Sequence, residues 1–181
     1  MRKALPAGSF AFCAFLMIAA FSQSSQWQEY VYAEDGFAIS APSKPGLIVF
    51  DPKKDVAEPY KRSIPKTATT KHMYAVALGL DSGLTVTYWL LSPEDKRTPE
   101  QVLADEKKLF NDIISEKPVA LGKFPGIEIE GEFDGRHIKR RTYLVGRKLY
   151  ALAGLSTRAN KALPDELQHW YDSFRLVDPQ K

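Results

Sequence analysis

The feature that most constrains this chain is the Asp134-Gly135 pair inside residues 128–150, EIEGEFDGRHIKRRTYLVGRKLY. An Asp-Gly dipeptide flanked by alternating residues is the strongest short-range signal for a two-residue hairpin turn. It fixes a register in which Phe133 faces Arg136, Glu132 faces His137, Glu130 faces Lys139 and Glu128 faces Arg141. Strand side chains alternate, so the three glutamates and their three basic partners share one face. Ile127, Ile129, Phe133, Ile138 and Thr142 lie on the other. The charged face is expected to be a solvated ladder, each exposed pair contributing a few tenths of a kcal/mol to about 1 kcal/mol. The apolar face is expected to rest on the terminal helix. Acid–base chemistry or cation binding would need one carboxylate set apart by its environment, or oxygens converging on a point. A row of paired glutamates offers neither, so no catalytic residue is assigned here.

The same register places Arg140 among the apolar residues, opposite Ile129. An unpartnered buried arginine is costly. A bulge could shift the register, or the stem could lie along the core with its head in water. The functional reading makes Arg140 the contact for an anionic group in a cleft between sheet and helix. A second bend at Gly146 and Arg147 sets Leu144 opposite Leu149 and Tyr143 opposite Tyr150.

Other strands read from the pattern are short pieces around the turn EDG, the run LIVF, and the pair HMYAVALGL and LTVTYWLL. In the last, Leu84, Val86, Tyr88 and Leu90 form one face, and Thr85, Thr87, Trp89 and Leu91 the other. Trp89 and Trp170 are expected in the core. The period changes after Thr98, a good helix N-cap followed by Pro99 and a capping-box Gln101. Apolar residues from Val102 to Ile114 extend the predicted helix over Pro99–Ile114. A last helix is predicted near Pro164, with Leu163, Leu167, Trp170, Tyr171 and Phe174 on its face, followed by the extended tail FRLV. Strands joined by short turns, with two helices, predict an α+β domain with an antiparallel sheet.

Residues 51–71 are polar and interrupted by Pro52, Pro59 and Pro65, with an irregular strand expected near Tyr60 to Ile64. Lys53, Lys54, Lys61 and Arg62 make this excursion locally basic. It reads as a solvated loop or, functionally, as a docking segment for an acidic partner.

The first 22 residues form a secretory signal peptide. Arg2 and Lys3 precede an uncharged apolar run from Phe10 to Phe21, with small residues at Ala20 and Ser22 and cleavage after Ser22. The alternative is an uncleaved anchor, although the run is shorter than the ~20 residues a membrane span needs. Residues 23–181 then form a single domain without a further span. Cys13 is the only cysteine. The mature chain has none, which excludes disulfides, thiolate catalysis and zinc–cysteine sites. Without Arg2 and Lys3, 23 bases stand against 22 acids, too balanced a charge to draw the protein to nucleic acid. His72, His137 and His169 have no local partners at metal spacing, and neither a nucleophile elbow nor a phosphate-binding glycine pattern is present. No cofactor is expected.

The segments RHIKRRTYLVGRKLYALAGLSTRANKALPDELQHWYDSFRLVD, DGFAISAPSKP and TPEQVLADEKK resemble PsbP-like domains, as do the DcrB-like exported bacterial proteins. The resemblance implies an antiparallel sheet sandwiched between helices, an α/β/α arrangement. It also implies a mostly non-enzymatic role in binding large protein partners, as an extrinsic photosystem subunit and a nuclear-import factor do. It transfers no functional residue. The leading expectation is an exported, non-catalytic domain, periplasmic or secreted, that binds or assists a cell-envelope protein complex. The alternatives are a binder of a small anionic ligand through Arg140 and an uncharacterised hydrolase. The hydrolase requires histidines converging with an acid or a serine.

Overall fold

A computed structural model describes residues 27–50, 67–79, 82–156 and 161–178. The leader, the strand expected near Tyr60, and the basic residues Lys53, Lys54, Lys61 and Arg62 lie outside the described residues.

The strands are β1 (Gln28–Tyr32), β2 (Phe37–Ala41), β3 (Gly46–Phe50), β4 (Ala68–Ala77), β5 (Gly83–Leu91), β6 (Asp112–Leu121), β7 (Phe124–Phe133), β8 (Arg136–Val145), β9 (Lys148–Leu155) and β10 (Arg175–Leu176). Two helices, α1 (Pro99–Asp105) and α2 (Leu167–Ser173), complete the described elements with a 3-10 turn at Glu106–Leu109. Seven strands form one sheet in the order β3-β4-β5-β9-β8-β7-β6, and β1-β2-β10 form a smaller one. Every pairing is antiparallel.

The hairpin read from Asp134-Gly135 is present. Both residues have positive φ, 50° and 74°, the backbone that a tight two-residue turn demands. The β7–β8 register is the expected one, Glu128 with Arg141, Ile129 with Arg140, Glu130 with Lys139 and Glu132 with His137. Tyr143 and Leu144 pair with Tyr150 and Leu149 across the next bend.

Alternation divides the large sheet into two apolar faces. On one, Val86, Tyr88, Tyr143, Tyr150 and Leu152 pack against Phe37 and Ile39 of β2 and against Leu167 and Trp170 of α2. Each such side chain, once removed from water, contributes roughly 1.5–3 kcal/mol. Gly154 lets α2 approach: a Cβ there would stand 2.7 Å from a Leu167 methyl. On the opposite face, Trp89 and Leu149 meet Val102 and Leu103 of α1. Beside them, Ile129, Phe133 and Ile138 meet Leu109 and Phe110.

The antiparallel sheet matches expectation, but full helical layers on both sides are not seen among the described residues. Each face carries one helix of seven residues, and α2 shares its side with the small sheet. The apolar side of the β7–β8 ribbon rests on Leu109 and Phe110 after α1, not on the terminal helix. The first helix is also shorter than predicted. Its capping box is present, with Thr98 N–H donating to Gln101 at 2.9 Å and Gln101 N–H donating to Thr98 at 3.3 Å. It stops at Asp105, and Ile113 and Ile114 instead stand exposed on β6, where pairing with β7 holds them extended. The helical stripe counted three elements as one: α1, the 3-10 turn and the start of β6.

Candidate functional site

Arg140 is 7% exposed and unavailable to a ligand. Its Nε–H donates to Glu106 Oε2 at 2.8 Å, and the Thr142 hydroxyl donates to the same oxygen at 2.8 Å. Neither bulge nor snorkelling explains the residue, because the register is regular and the head lies inside. The answer is a buried acid 34 residues away in sequence. An ion pair so placed offsets its desolvation cost only with further hydrogen bonds, which Thr142 supplies. The guanidinium is thus matched by a structural carboxylate, and the anionic-ligand reading loses the cation on which it relied.

The opposite face of the same ribbon is more enclosed than a solvated ladder. Glu128 is 4% exposed, hydrogen-bonded by Arg141 and ion-paired with Lys117 at 3.1 Å and Lys139 at 3.5 Å. Burial alone would push its carboxyl up, but hydrogen bonds from Arg141 and Lys117 outweigh it and hold the group below the ordinary glutamate value. The Arg141 guanidinium lies 4.3 Å from the centre of the Tyr171 ring, so the terminal helix covers the charged side. Tyr171 also donates its hydroxyl to the Lys139 carbonyl at 2.7 Å. Farther along, Glu130 meets Lys139 at 3.0 Å and His137 at 2.9 Å, while Glu132 meets Lys161 at 3.0 Å. His137 therefore pairs diagonally, not directly across.

His72 has a partner that the sequence concealed. Its Nδ1–H donates to the buried Asp35 carboxylate at 2.7 Å, and Tyr74 donates to the same oxygen at 2.7 Å. Asp35 belongs to the β1–β2 turn, 37 residues from His72. Burial, and then the Asp35 hydrogen bond, push the Tyr74 hydroxyl well above the ordinary tyrosine range. Tyr150 donates to the Asp35 carbonyl. This cluster latches the small sheet to the large one. The hydrolase reading named histidines converging with an acid or a serine, and His72 with Asp35 and His137 with Glu130 are two such histidine–acid pairs. No serine hydroxyl is hydrogen-bonded to His72 among the described residues. His169 packs edge-on against Trp27 at 4.2 Å. No group of three potential metal ligands converges among the described residues.

Between α1 and the β6–β7 edge lies a groove of about 270 Å³, floored by Leu103, Ala104 and Ile127. Its two lysines are engaged, Lys107 with Glu116 at 2.7 Å and Lys117 with Glu128 at 3.1 Å.

Strand β3 has the opposite character. It ends the large sheet and, among the described residues, pairs with β4 alone. Leu47, Ile48 and Val49 are 53%, 43% and 64% exposed. Consecutive strand residues point to opposite sides, so apolar surface is open on both faces.

No protein-family model matches the sequence, and no curated protein does. Among solved structures, the chain is similar to the solution structure of cyanobacterial PsbP (CyanoP) from Synechocystis sp. PCC 6803. The similarity covers 90% of this chain and 99% of that one, with a TM-score of 0.52 at 14% identity. The fold is PsbP-like.

Within this PsbP-like fold, the sequence-assigned residues separate. Arg140 is structural, and Lys53, Lys54, Lys61 and Arg62 follow β3 in sequence, outside the described residues. The surface missed by sequence reading is the exposed run Leu47, Ile48 and Val49. Its signal was a strand apolar at successive positions rather than alternate ones, which reads equally as a strand buried on both sides.

Proposed function

We propose that the chain is an exported, non-catalytic domain that binds or assists a cell-envelope protein complex, with β3 at the centre of the docking surface. The observation carrying this reading is the run of exposed large apolar side chains at Leu47, Ile48 and Val49 on an edge strand. Exposed apolar groups grouped together mark interaction surfaces more often than scattered ones do. The leader of residues 1–22 supports export to a periplasm or beyond the cell. No described helix is long and apolar enough to cross a membrane. The basic residues Lys53, Lys54, Lys61 and Arg62 would add attraction for an acidic partner.

The test is affinity capture from cell-envelope extract with the wild-type protein, an Ile48→Lys variant, and a variant with those four bases replaced by Ser. Ile48→Lys is expected to lower recovery of specific partners about tenfold or more while changing stability by no more than about 0.5 kcal/mol. The four-base variant is expected to weaken capture mainly at low salt. Undiminished recovery by Ile48→Lys would sink the proposal.

A further inference from the structure

Each nitrogen of the His137 ring meets an oxygen that can only accept. Nδ1 lies 2.8 Å from the Lys161 carbonyl oxygen, and Nε2 lies 2.9 Å from Glu130 Oε1. A neutral imidazole carries one N–H and satisfies one of these partners, whereas the imidazolium carries two and satisfies both. His72 makes no such demand, because its Nδ1 meets the Asp35 carboxylate and one proton suffices. The backbone fixes where the His137 ring points. Its N–H donates to Ser156 Oγ at 3.0 Å, and its carbonyl accepts from the Ser156 N–H at 2.9 Å. The side chain is 20% exposed.

The charged groups around this ring come from several elements. β7 supplies Glu130 and, directly across in the register, Glu132. β6 sets Asp112 beside Glu132. On its own strand, Lys139 shares the face of His137, while Arg136 points to the other side. The connection from β9 to α2 supplies Lys161. Lys139 is engaged by Glu130 at 3.0 Å, and Lys161 by Glu132 at 3.0 Å. The end of β9 brings no charge, since Leu155 and then Ser156 stand there. α2 meets the row farther along, with Tyr171 on the Lys139 carbonyl and Asp172 4.0 Å from Arg141. Of all these groups, Glu130 is the one bonded to the ring.

We infer that His137 is an acid-set fastener: with two ring protons it ties the connection into α2 onto β7, and on losing one it releases the Lys161 carbonyl. The remaining proton stays on Nε2, because a carboxylate accepts more strongly than a neutral carbonyl. Nδ1 then turns a lone pair toward the Lys161 oxygen, and that tie is gone. The second tie at this residue, Lys161 with Glu132, is an exposed pair that contributes little by itself. Histidine changes charge between about pH 5 and 8. The folded chain offers the second proton an acceptor that the unfolded chain lacks. The fastening is therefore whole at the acid end of that range and is lost as pH rises. What it secures is the approach to α2, whose first turn closes with the Leu167 N–H on the Pro164 carbonyl at 3.1 Å.

The test is nuclear magnetic resonance of the isotope-labelled protein, titrated across the histidine range. At the acid end both His137 ring nitrogens are expected to carry a proton. As pH rises Nδ1 should lose its proton, and the Lys161 carbonyl signal should move with the same midpoint. Amide-exchange protection at Leu167, corrected for the intrinsic effect of pH, is expected to fall about threefold or more across that midpoint. Val102 in α1, whose N–H donates to the Thr98 carbonyl at 3.0 Å, should keep its protection and serves as the internal control. His137→Gln should remove the pH dependence at Leu167, and Glu130→Gln should lower the ring's midpoint by about 1 pH unit. A proton count on the ring that is constant across the range, or loss from Nε2 in place of Nδ1, would overturn the inference. So would a Lys161 carbonyl or a Leu167 amide that ignores the ring's titration, or an equal fall at Leu167 in His137→Gln.

Discussion

Glu106 stands where α1 would otherwise continue, and its carboxylate turns inward to Arg140 and Thr142 instead of outward to water. Sequence reading located the arginine on the apolar face but not its partner, because the partner comes from a different element and no local pattern links them. Removing one half of such a pair leaves a buried charge unmatched. Glu106→Gln or Arg140→Met should each destabilise the protein by about 3–5 kcal/mol, and the double variant should recover part of that loss in urea unfolding. Singles within about 0.5 kcal/mol of wild type would show that the pair is not truly enclosed. Glu128 makes a pH-dependent contribution. Its folded carboxyl titrates below the ordinary value of 4.5, so its stabilisation is in place above 4.5 and is lost as pH falls through the lower folded value. Glu128→Gln should therefore cost about 1.5–3 kcal/mol at neutral pH and flatten the acid limb of the stability curve. An unchanged acid limb would refute the assignment.

At the level of elements, the β7–β8 and β8–β9 hairpins were legible because each is set by a turn and a two-residue period, both local. The helix boundary was not. Residues Val102 to Ile114 satisfy helical spacing, but Asp112–Leu121 has a long-range competitor in the edge of β7, and the ladder wins. Gly131 shows how closely that ladder is fitted. A Cβ there would stand 2.2 Å from the Asp112 carbonyl oxygen and 2.9 Å from a Phe110 ring carbon. Gly131→Ala should cost about 1–3 kcal/mol and speed amide exchange at the start of β6, where Asn111 N–H donates to the Glu132 carbonyl at 2.8 Å. An alanine variant as stable as wild type, with β6 exchange unaltered, would contradict this packing. The exposed run in β3 was visible as sequence, but burial on two faces and exposure on two faces write the same letters.

For the molecule as a whole, strand content and the antiparallel class followed from turns and periodicity, and the likeness to PsbP-like domains lay in spaced core and turn residues. The division of helices between faces did not, since it depends on which side of the sheet each connection crosses. The small sheet joins distant parts of the chain: β2 lies between β1 and β10, and Ser40 N–H donates to Ser173 Oγ across 133 residues. A chain ending at Glu166 lacks α2 and β10 and leaves Val86, Tyr143 and Leu152 without their cover. It should lose near-ultraviolet circular dichroism and cooperative unfolding while keeping much of its β signal. A sharp two-state melt from that fragment would disprove the dependence.

The position of β2 also bears on how the protein is made. A polypeptide grows from its amino end, so β1 and β2 emerge early and wait for α2 and β10, almost the last described residues to leave the ribosome. Premature closure is excluded by connectivity alone. Until then β2 lacks its pairing with β10 and the cover of α2, and the small sheet stays incomplete.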